Sequence, residues 1–137
     1  MTRVFVPRDA AALALGADAV ATALAPHADV VRNGSRGMFW LEPMIEVETP
    51  AGRIAYGPVS ASDIPGLLAA GLLSGEAHPL RLGPTDAIPF LARQTRLTFA
   101  RCGVVDPLSL DDYKAHGGLD GLRRAIEIGS AATIDTV

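Results

Sequence analysis

Cysteine occurs once in the 137 residues, at Cys102, so the chain can form no internal disulfide. A lone thiol outside any disulfide framework fits a reducing compartment. It also leaves no Cys-x-x-Cys pair, which excludes dithiol redox chemistry of the thioredoxin kind. Aromatic residues make up only 5% of the chain, so a core has to be assembled from Ala, Leu, Val and Ile. A basic excess is missing too. Twelve Lys and Arg stand against fifteen Asp and Glu, a net charge of −3, which gives no broad cationic surface for nucleic acid. Long apolar runs are absent: the longest, Ile64 to Leu73, contains Pro65, Gly66 and Gly71 and reaches only about half a membrane span. The start of the chain has three apolar residues between Arg3 and Pro7, too few for a signal peptide. Together these absences point to a soluble, cytoplasmic protein.

What is present suits a folded α/β chain. Hydrophobic residues reach 49% and charged residues 20%, a composition that disfavours disorder. The length fits one ordinary domain, or a small domain with a piece of another. Arg3 to Val6 reads as a strand ended by Pro7, and Asp9 caps a helix from about Ala10 to Ala25. Leu13, Ala17, Val20 and Leu24 form its apolar stripe. A second strand, Asp29 to Arg32, leads into the turn Asn33-Gly34-Ser35-Arg36-Gly37.

A hairpin follows. Ile45 and Val47 alternate with Glu46 and Glu48, which the pattern sends to solvent, and Arg53 to Gly57 returns with Arg53 opposite Glu48. A helix is expected from about Ser62 to Leu73, with Ser60 and Asp63 in capping-box spacing and Pro65 tolerated in the first turn. The order β-α-β, hairpin, α is that of a thioredoxin-like domain, complete by about Gly75. Two strands joined through a helix should run parallel. Gly75 to Pro84 reads as a linker. Phe90, Leu91, Leu97 and Val104 suggest one long helix ended at Gly103. Ser109 and Asp112 form a second capping box, His116 and Gly117-Gly118 close that helix, and Asp120 opens another with Leu122 and Ile126. Arg123 and Arg124 are expected at the end of that last helix.

No catalytic constellation stands out. His27, His78 and His116 lie far apart with no second ligand nearby, and read as surface histidines. Cys102, beside Arg101 at an expected helix end, reads as a small buried hydrophobe. Arg32 to Gly37 has the glycines, hydroxyl and arginines of a phosphate cradle but not the spacing of a P-loop, so a plain turn competes with an anion site. Glu46 and Glu48 read as solubilising charges, and Asp111 and Asp112 as helix-capping acids. Met38, Phe39 and Trp40 sit on an expected loop, where core and interface readings both stay open.

Three stretches carry a resemblance: Val4 to Asp18, Val31-Arg-Asn-Gly-Ser-Arg-Gly-Met-Phe-Trp-Leu-Glu-Pro43, and Ala55-Tyr-Gly-Pro-Val-Ser60. They resemble the opening of the NAD-reducing flavoprotein (β) subunit of NAD-dependent formate dehydrogenases. Phe90 to Gln94, Arg96 to Pro107 and Tyr113 to Gly118 resemble, more broadly, the segment before the flavin domain in the NADH-binding subunits of respiratory complex I and NAD-linked hydrogenases. Leu119 departs from the Tyr usual after the paired glycines. The resemblance implies a thioredoxin-like domain over 1–80, then a linker and leading helices of a flavin- and NADH-binding domain over 81–137.

It further implies that the parent subunit carries FMN, NAD and a [4Fe–4S] cluster beyond these residues, with the chain ending just before the glycine-rich flavin loop. Implied partners are a thioredoxin-like [2Fe–2S] subunit and a molybdenum and iron–sulfur catalytic subunit. In the related ferredoxin subunit four cysteines hold a [2Fe–2S] cluster; the alignment puts Pro7, Ala12, Ser35 and Phe39 at those positions. None can supply a thiolate. Residues 1–137 are therefore expected to bind no cofactor, to catalyse nothing alone, and to serve assembly. The rival expectations are a stand-alone interaction module and a phosphate or nucleotide binder using Arg32 to Gly37.

Overall fold

The computed structural model describes all residues 1–137. Five strands, β1 (Arg3–Phe5), β2 (Asp29–Val31), β3 (Ile45–Thr49), β4 (Gly52–Tyr56) and β5 (Arg81–Pro84), form one mixed sheet in the order β2-β1-β3-β4-β5. β1 and β2 are parallel, as a helical connection demands, and the remaining pairs are antiparallel. The hairpin register places Glu48 opposite Arg53, as its alternation suggested.

Strand alternation divides the side chains between two faces. Val4, Val47 and Ile54 lie in one cross-strand row, and with Ile45 and Tyr56 they pack beneath helices α1 (Ala10–Ala14), α2 (Ala17–Leu24) and α3 (Ile64–Ala69). Ala12, Ala17, Val20, Leu24, Ile64, Leu67 and Leu72 complete this core. Each large aliphatic group so buried contributes about 1.5–3 kcal/mol. The opposite face carries the row Val31, Phe5, Glu46 and Ala55. It is covered by a smaller cluster of Met38, Met44, Ala55 and Leu91, and by residues 94–105, which cross it as a strap.

Four expectations give way here. The first helix is two: Gly16, at φ +96, starts a new turn, so α1 and α2 meet at an angle that buries Ala12 and leaves Leu13 exposed. The segment taken for a linker contains β5, whose Gly83 and Pro84 fit an edge strand with a register shift beside Ala55 and Tyr56. No long helix spans 90–103. α4 (Pro89–Ala92) is one turn, and the strap is a chain of short turns, Ala100 to Leu97, Cys102 to Phe99 and Val104 to Arg101. Its carbonyls bond to the sheet rather than along a helix. Lastly, the helix expected to Leu73 ends at Ala69, followed by a 3-10 turn at Leu72–Ser74.

The helix caps expected from the sequence hold better. Asp9 accepts from the N–H groups of Ala11 and Ala12, and Ser109 accepts from that of Asp112 at the start of α5 (Leu110–Ala115). The Ser60 N–H and hydroxyl both donate to Asp63, which holds that carboxyl below its ordinary range. α6 (Asp120–Thr136) starts at Asp120 and bends at Gly129; Arg123 and Arg124 fall in its first half, not at its end. No helix is long and apolar enough to cross a membrane.

The largest departure is Glu46. It is 1% exposed, because the face it was sent to is not solvent but the floor beneath the strap. Arg36 grips it with two bonds, Nε to Oε1 at 2.9 Å and Nη2 to Oε2 at 2.8 Å, and Arg53 lies at 3.5 Å. Removing the carboxylate leaves two guanidinium groups confronting each other out of water. Glu46→Ala should therefore cost about 3–5 kcal/mol in denaturant unfolding, whereas Glu48→Ala on the same strand should change stability by under about 0.5 kcal/mol. Equal effects at the two positions would refute the buried-cluster account.

Candidate functional site

Parallel pairing of β1 and β2 brings the loop after each strand to the same end of the sheet. That end, beyond the carboxyl ends of parallel strands, is where open α/β sheets commonly receive ligands. The two loops, with the strap, enclose a cleft of about 690 Å³ lined by Asp9, Ser35, Phe39, Arg96, Phe99 and Cys102, among others. A second concavity of about 600 Å³, between the outer strands and α5, is lined by Asp29, Glu48, Asp106, Asp111 and Asp112 with Arg3, Arg53 and His116.

The strap is fixed to the sheet at Gly103. Its carbonyl accepts from Asn33 Nδ2 and Arg53 Nη1, each at 2.8 Å, and the Val104 carbonyl accepts from Arg53 Nη2 at 2.8 Å. The Arg53 guanidinium also lies 3.3 Å from the centre of the Phe5 ring, a cation–π contact strengthened by burial. Gly103 has φ +79, and a Cβ there would collide with Arg36 Cδ, so only glycine fits. Arg96 Nη2 adds a bond to the Arg36 carbonyl. Burial disfavours the Arg36 charge, but the bonds and charge of Glu46, with Asp86 nearby, outweigh it and raise the guanidinium above its ordinary value. At Arg53 burial wins, aided by repulsion from Arg36, and lowers it despite Glu46.

Arg32 to Gly37 borders the cleft, but its side chains are already engaged. Arg32 donates to the carbonyls of Val6 and Pro7 and pairs with Asp18 at 2.8 Å. Arg36 is bound to Glu46. The Ser35 hydroxyl donates to Glu42 Oε1 at 2.6 Å while accepting from the Gly37 N–H. The two guanidinium groups that made this loop an anion candidate are thus both taken up, Arg36 inside by Glu46 and Arg32 nearer the surface by Asp18.

Cys102 is exposed in the cleft wall, not buried, since the bonds at its neighbour Gly103 turn it outward. Phe39 and Trp40, on a 3-10 turn at Phe39–Leu41, are 59% and 62% exposed; only Met38 of that trio enters a core. The packing thus assigns Phe39 and Trp40 to the surface. Of the histidines, His27 and His116 are exposed and His78 is half-buried, accepting from the Leu80 N–H. No three His, Cys, Asp or Glu side chains converge as a metal site. The second capping box is only half formed: Ser109 accepts from the Asp112 N–H, but the Asp112 carboxylate turns to the Asp106 N–H at 2.7 Å instead of to that of Ser109.

Pro7 and Ala12 are buried, Ala12 in the main core, while Ser35 is half-buried and Phe39 exposed in the cleft wall. A ring, a methyl, an engaged hydroxyl and a phenyl group do not fit an iron–sulfur cluster, which needs thiolates. The chain matches no protein-family model and no curated protein.

Two outcomes follow from this geometry. Incubating the protein with iron and sulfide should leave no absorbance between about 400 and 600 nm, because no thiolate set can hold a cluster; a stoichiometric [2Fe–2S] spectrum would contradict that. The second concerns Glu42, where burial raises the pKa above the ordinary 4.5, the bonds from Ser35 and the Met44 N–H opposing it and Asp9 and Glu46 adding to it. The folded state then holds the Glu42 proton more tightly than the unfolded state, so this group's contribution to stability declines as pH rises through its folded pKa. Relative to Glu42→Gln, the wild type should be most stable near pH ~4 and lose ground towards pH ~7. A difference that grows with pH, or stays flat, in denaturation at a series of pH values would reverse the assignment.

Proposed function

We propose that residues 1–137 are the N-terminal part of the NAD-reducing flavoprotein subunit of an NAD-dependent formate dehydrogenase, a diaphorase subunit in which this segment serves assembly. The observation that carries the reading is the arrangement of the two loops. Of the positions aligned with cluster ligands in the related ferredoxin, Ser35 and Phe39 line one wall of the cleft, while Pro7 and the α1 residue Ala12 flank Asp9, Ala10 and Ala11 of the other wall, at the end of the sheet where parallel β1 and β2 both finish. A β-α-β unit with parallel β1 and β2, followed by an antiparallel hairpin and α3, supports the thioredoxin-like assignment for 1–80. Within 81–137, β5 and the strap belong to this sheet, and α5 and α6 are then the approach to a flavin- and NADH-binding domain; the exposed Leu122, Ile126 and Ile134 of α6 suit a helix that packs against such a domain.

In the parent, formate would lose two electrons and a proton to become carbon dioxide. Iron–sulfur centres would relay them to FMN, which passes them with a proton to NAD⁺ as hydride. The cofactors supply that chemistry and the protein positions them. This segment contributes no catalytic group. Its partners would be the thioredoxin-like [2Fe–2S] subunit and the molybdenum-containing catalytic subunit, in the cytoplasm. The phosphate-cradle alternative loses its donors to Asp18 and Glu46.

An affinity tag on the protein in its own cells tests the reading. The purified assembly should be yellow-brown, absorb between about 400 and 500 nm from flavin and iron–sulfur centres, and reduce NAD⁺ with formate. Recovery of a colourless chain free of flavin and iron would overturn it.

A further inference from the structure

Asn33 is the chain's single asparagine, and Gly34 follows it. In such a dipeptide the glycine nitrogen, unhindered by a side chain on its own residue, can attack the asparagine side-chain carbonyl. Asn33 is 2% exposed, and the one hydrogen bond of its side chain runs from Nδ2 to the Gly103 carbonyl at 2.8 Å. Its Oδ1 is shielded and meets no donor. The amide is therefore held by the strap alone. Gly34 lies under the same part of the strap, where an added Cβ would stand 3.8 Å from the Gly103 nitrogen. The carbonyl that holds Asn33 also holds Arg53 Nη1, so the two donors are neighbours around one oxygen. Charge in this layer is unbalanced, because Arg36 and Arg53 share the single carboxylate of Glu46. A carboxylate in place of the Asn33 amide would supply the missing counter-charge, and it would have no N–H to offer Gly103.

We propose that Asn33 is a one-way latch for the strap: a deamidation site sealed while the strap is seated and released when it lifts. In the seated state the Gly103 carbonyl fixes the amide and burial keeps water away from it. Once the strap lifts, the Gly34 nitrogen bonds to Asn33 Cγ, the Cγ–Nδ2 bond breaks, and ammonia leaves with the proton from Gly34. Water then adds to either carbonyl of the succinimide ring and opens it, giving aspartate or isoaspartate at position 33. No oxidant or other reactant is needed. Either product carries a carboxylate beside Arg53. A bond between two charged groups is stronger than one from a guanidinium to a neutral carbonyl, so Arg53 turns from the strap to the new anion. The layer then has two arginines on two carboxylates, and the strap has lost all three bonds at Gly103 and Val104. A copy that has opened once does not close again. The latch asks nothing of the assembly proposed above, and either can fail without the other.

Two measurements on the whole protein test the latch. In the first, the protein and the free peptide Val31-Arg-Asn-Gly-Ser-Arg-Gly37 are incubated in the same neutral buffer, and conversion of Asn33 is followed by mass spectrometry after digestion. Conversion should be slower in the protein by about tenfold or more, because only the open fraction reacts. Arg53→Ala removes two of the three strap bonds and should bring the rate to within about threefold of the peptide. Arg96→Ala frees the strap from the Arg36 carbonyl while sparing the Glu46 cluster, and supplies the acceleration if Arg53→Ala does not unfold cooperatively. In the second, converted protein is separated by its added negative charge and both forms are cut with trypsin. Asn33→Asp serves as the converted form where little accumulates. Cleavage after Arg96 and Arg101 should be about tenfold faster in the converted form, since it follows the open population. Asn33→Ala loses the bond but gains no carboxylate, and should stay within about threefold of the wild type. Equal conversion in protein and peptide, conversion indifferent to both strap variants, or a converted form as resistant as the unconverted one overturns the latch. An Asn33→Ala strap as open as the converted one overturns the capture of Arg53.

Discussion

A carboxylate withdrawn from water must have its charge met at once, and Glu46 meets it with two arginines from different parts of the chain. Arg36 arrives from the loop after β2 and Arg53 from the neighbouring strand. Two positive groups on one negative leave a surplus, and the surplus is absorbed by dipoles: Arg53 turns its remaining N–H groups onto the Gly103 and Val104 carbonyls. The strap is thus the last member of an electrostatic series that begins in the middle of β3. Everything on the second face follows from it, including the floor of the cleft and the outward turn of Cys102. Replacing such a cluster by apolar groups need not weaken a protein, but removing one member does.

How much of this was legible in the sequence depended on whether the signal was local. The Asp9 and Ser109 caps, the β3–β4 hairpin register and the parallel β1–β2 pair rest on neighbours within a few residues or on one crossover, and they came through. Glu46 did not, because alternation says only that it points away from Ile45 and Val47; it cannot say that another layer lies there. The apolar spacing of Phe90, Leu91, Leu97 and Val104 looked helical for the same reason. Leu91 is fixed by Met38, Met44 and Ala55, and Val104 by Arg53, so their spacing reports two separate attachments rather than one helix face. Gly75 to Pro84 has the composition of a linker, yet an edge strand tolerates glycine and proline where a central one would not.

The aromatic residues divide in an unusual manner for so few. Phe5 and Tyr56 are buried, one beneath Arg53 and the other with its hydroxyl on the Glu76 carbonyl at 2.6 Å. Burial raises the Tyr56 hydroxyl above its ordinary pKa, so it remains a donor to that carbonyl throughout the physiological range. The other large rings lie outside, although the cores are built almost wholly from aliphatic groups that could have been joined by them. The sheet is stabilised without those rings, which leaves their positions free to answer to something other than folding.

The attachment at Gly103 also decides how the chain can be divided. A cut after β5 would keep every strand, yet it would deprive the Asn33 amide and both Arg53 amino groups of their acceptors, and Leu91 of its place over Ala55. The five-stranded sheet is consequently not a self-sufficient module. The attachments carry on past Val105 as well: the Arg101 guanidinium donates to the His116 and Gly117 carbonyls and the Asp106 N–H to the Asp112 carboxylate, so strands, strap and α5 are held in one continuous series.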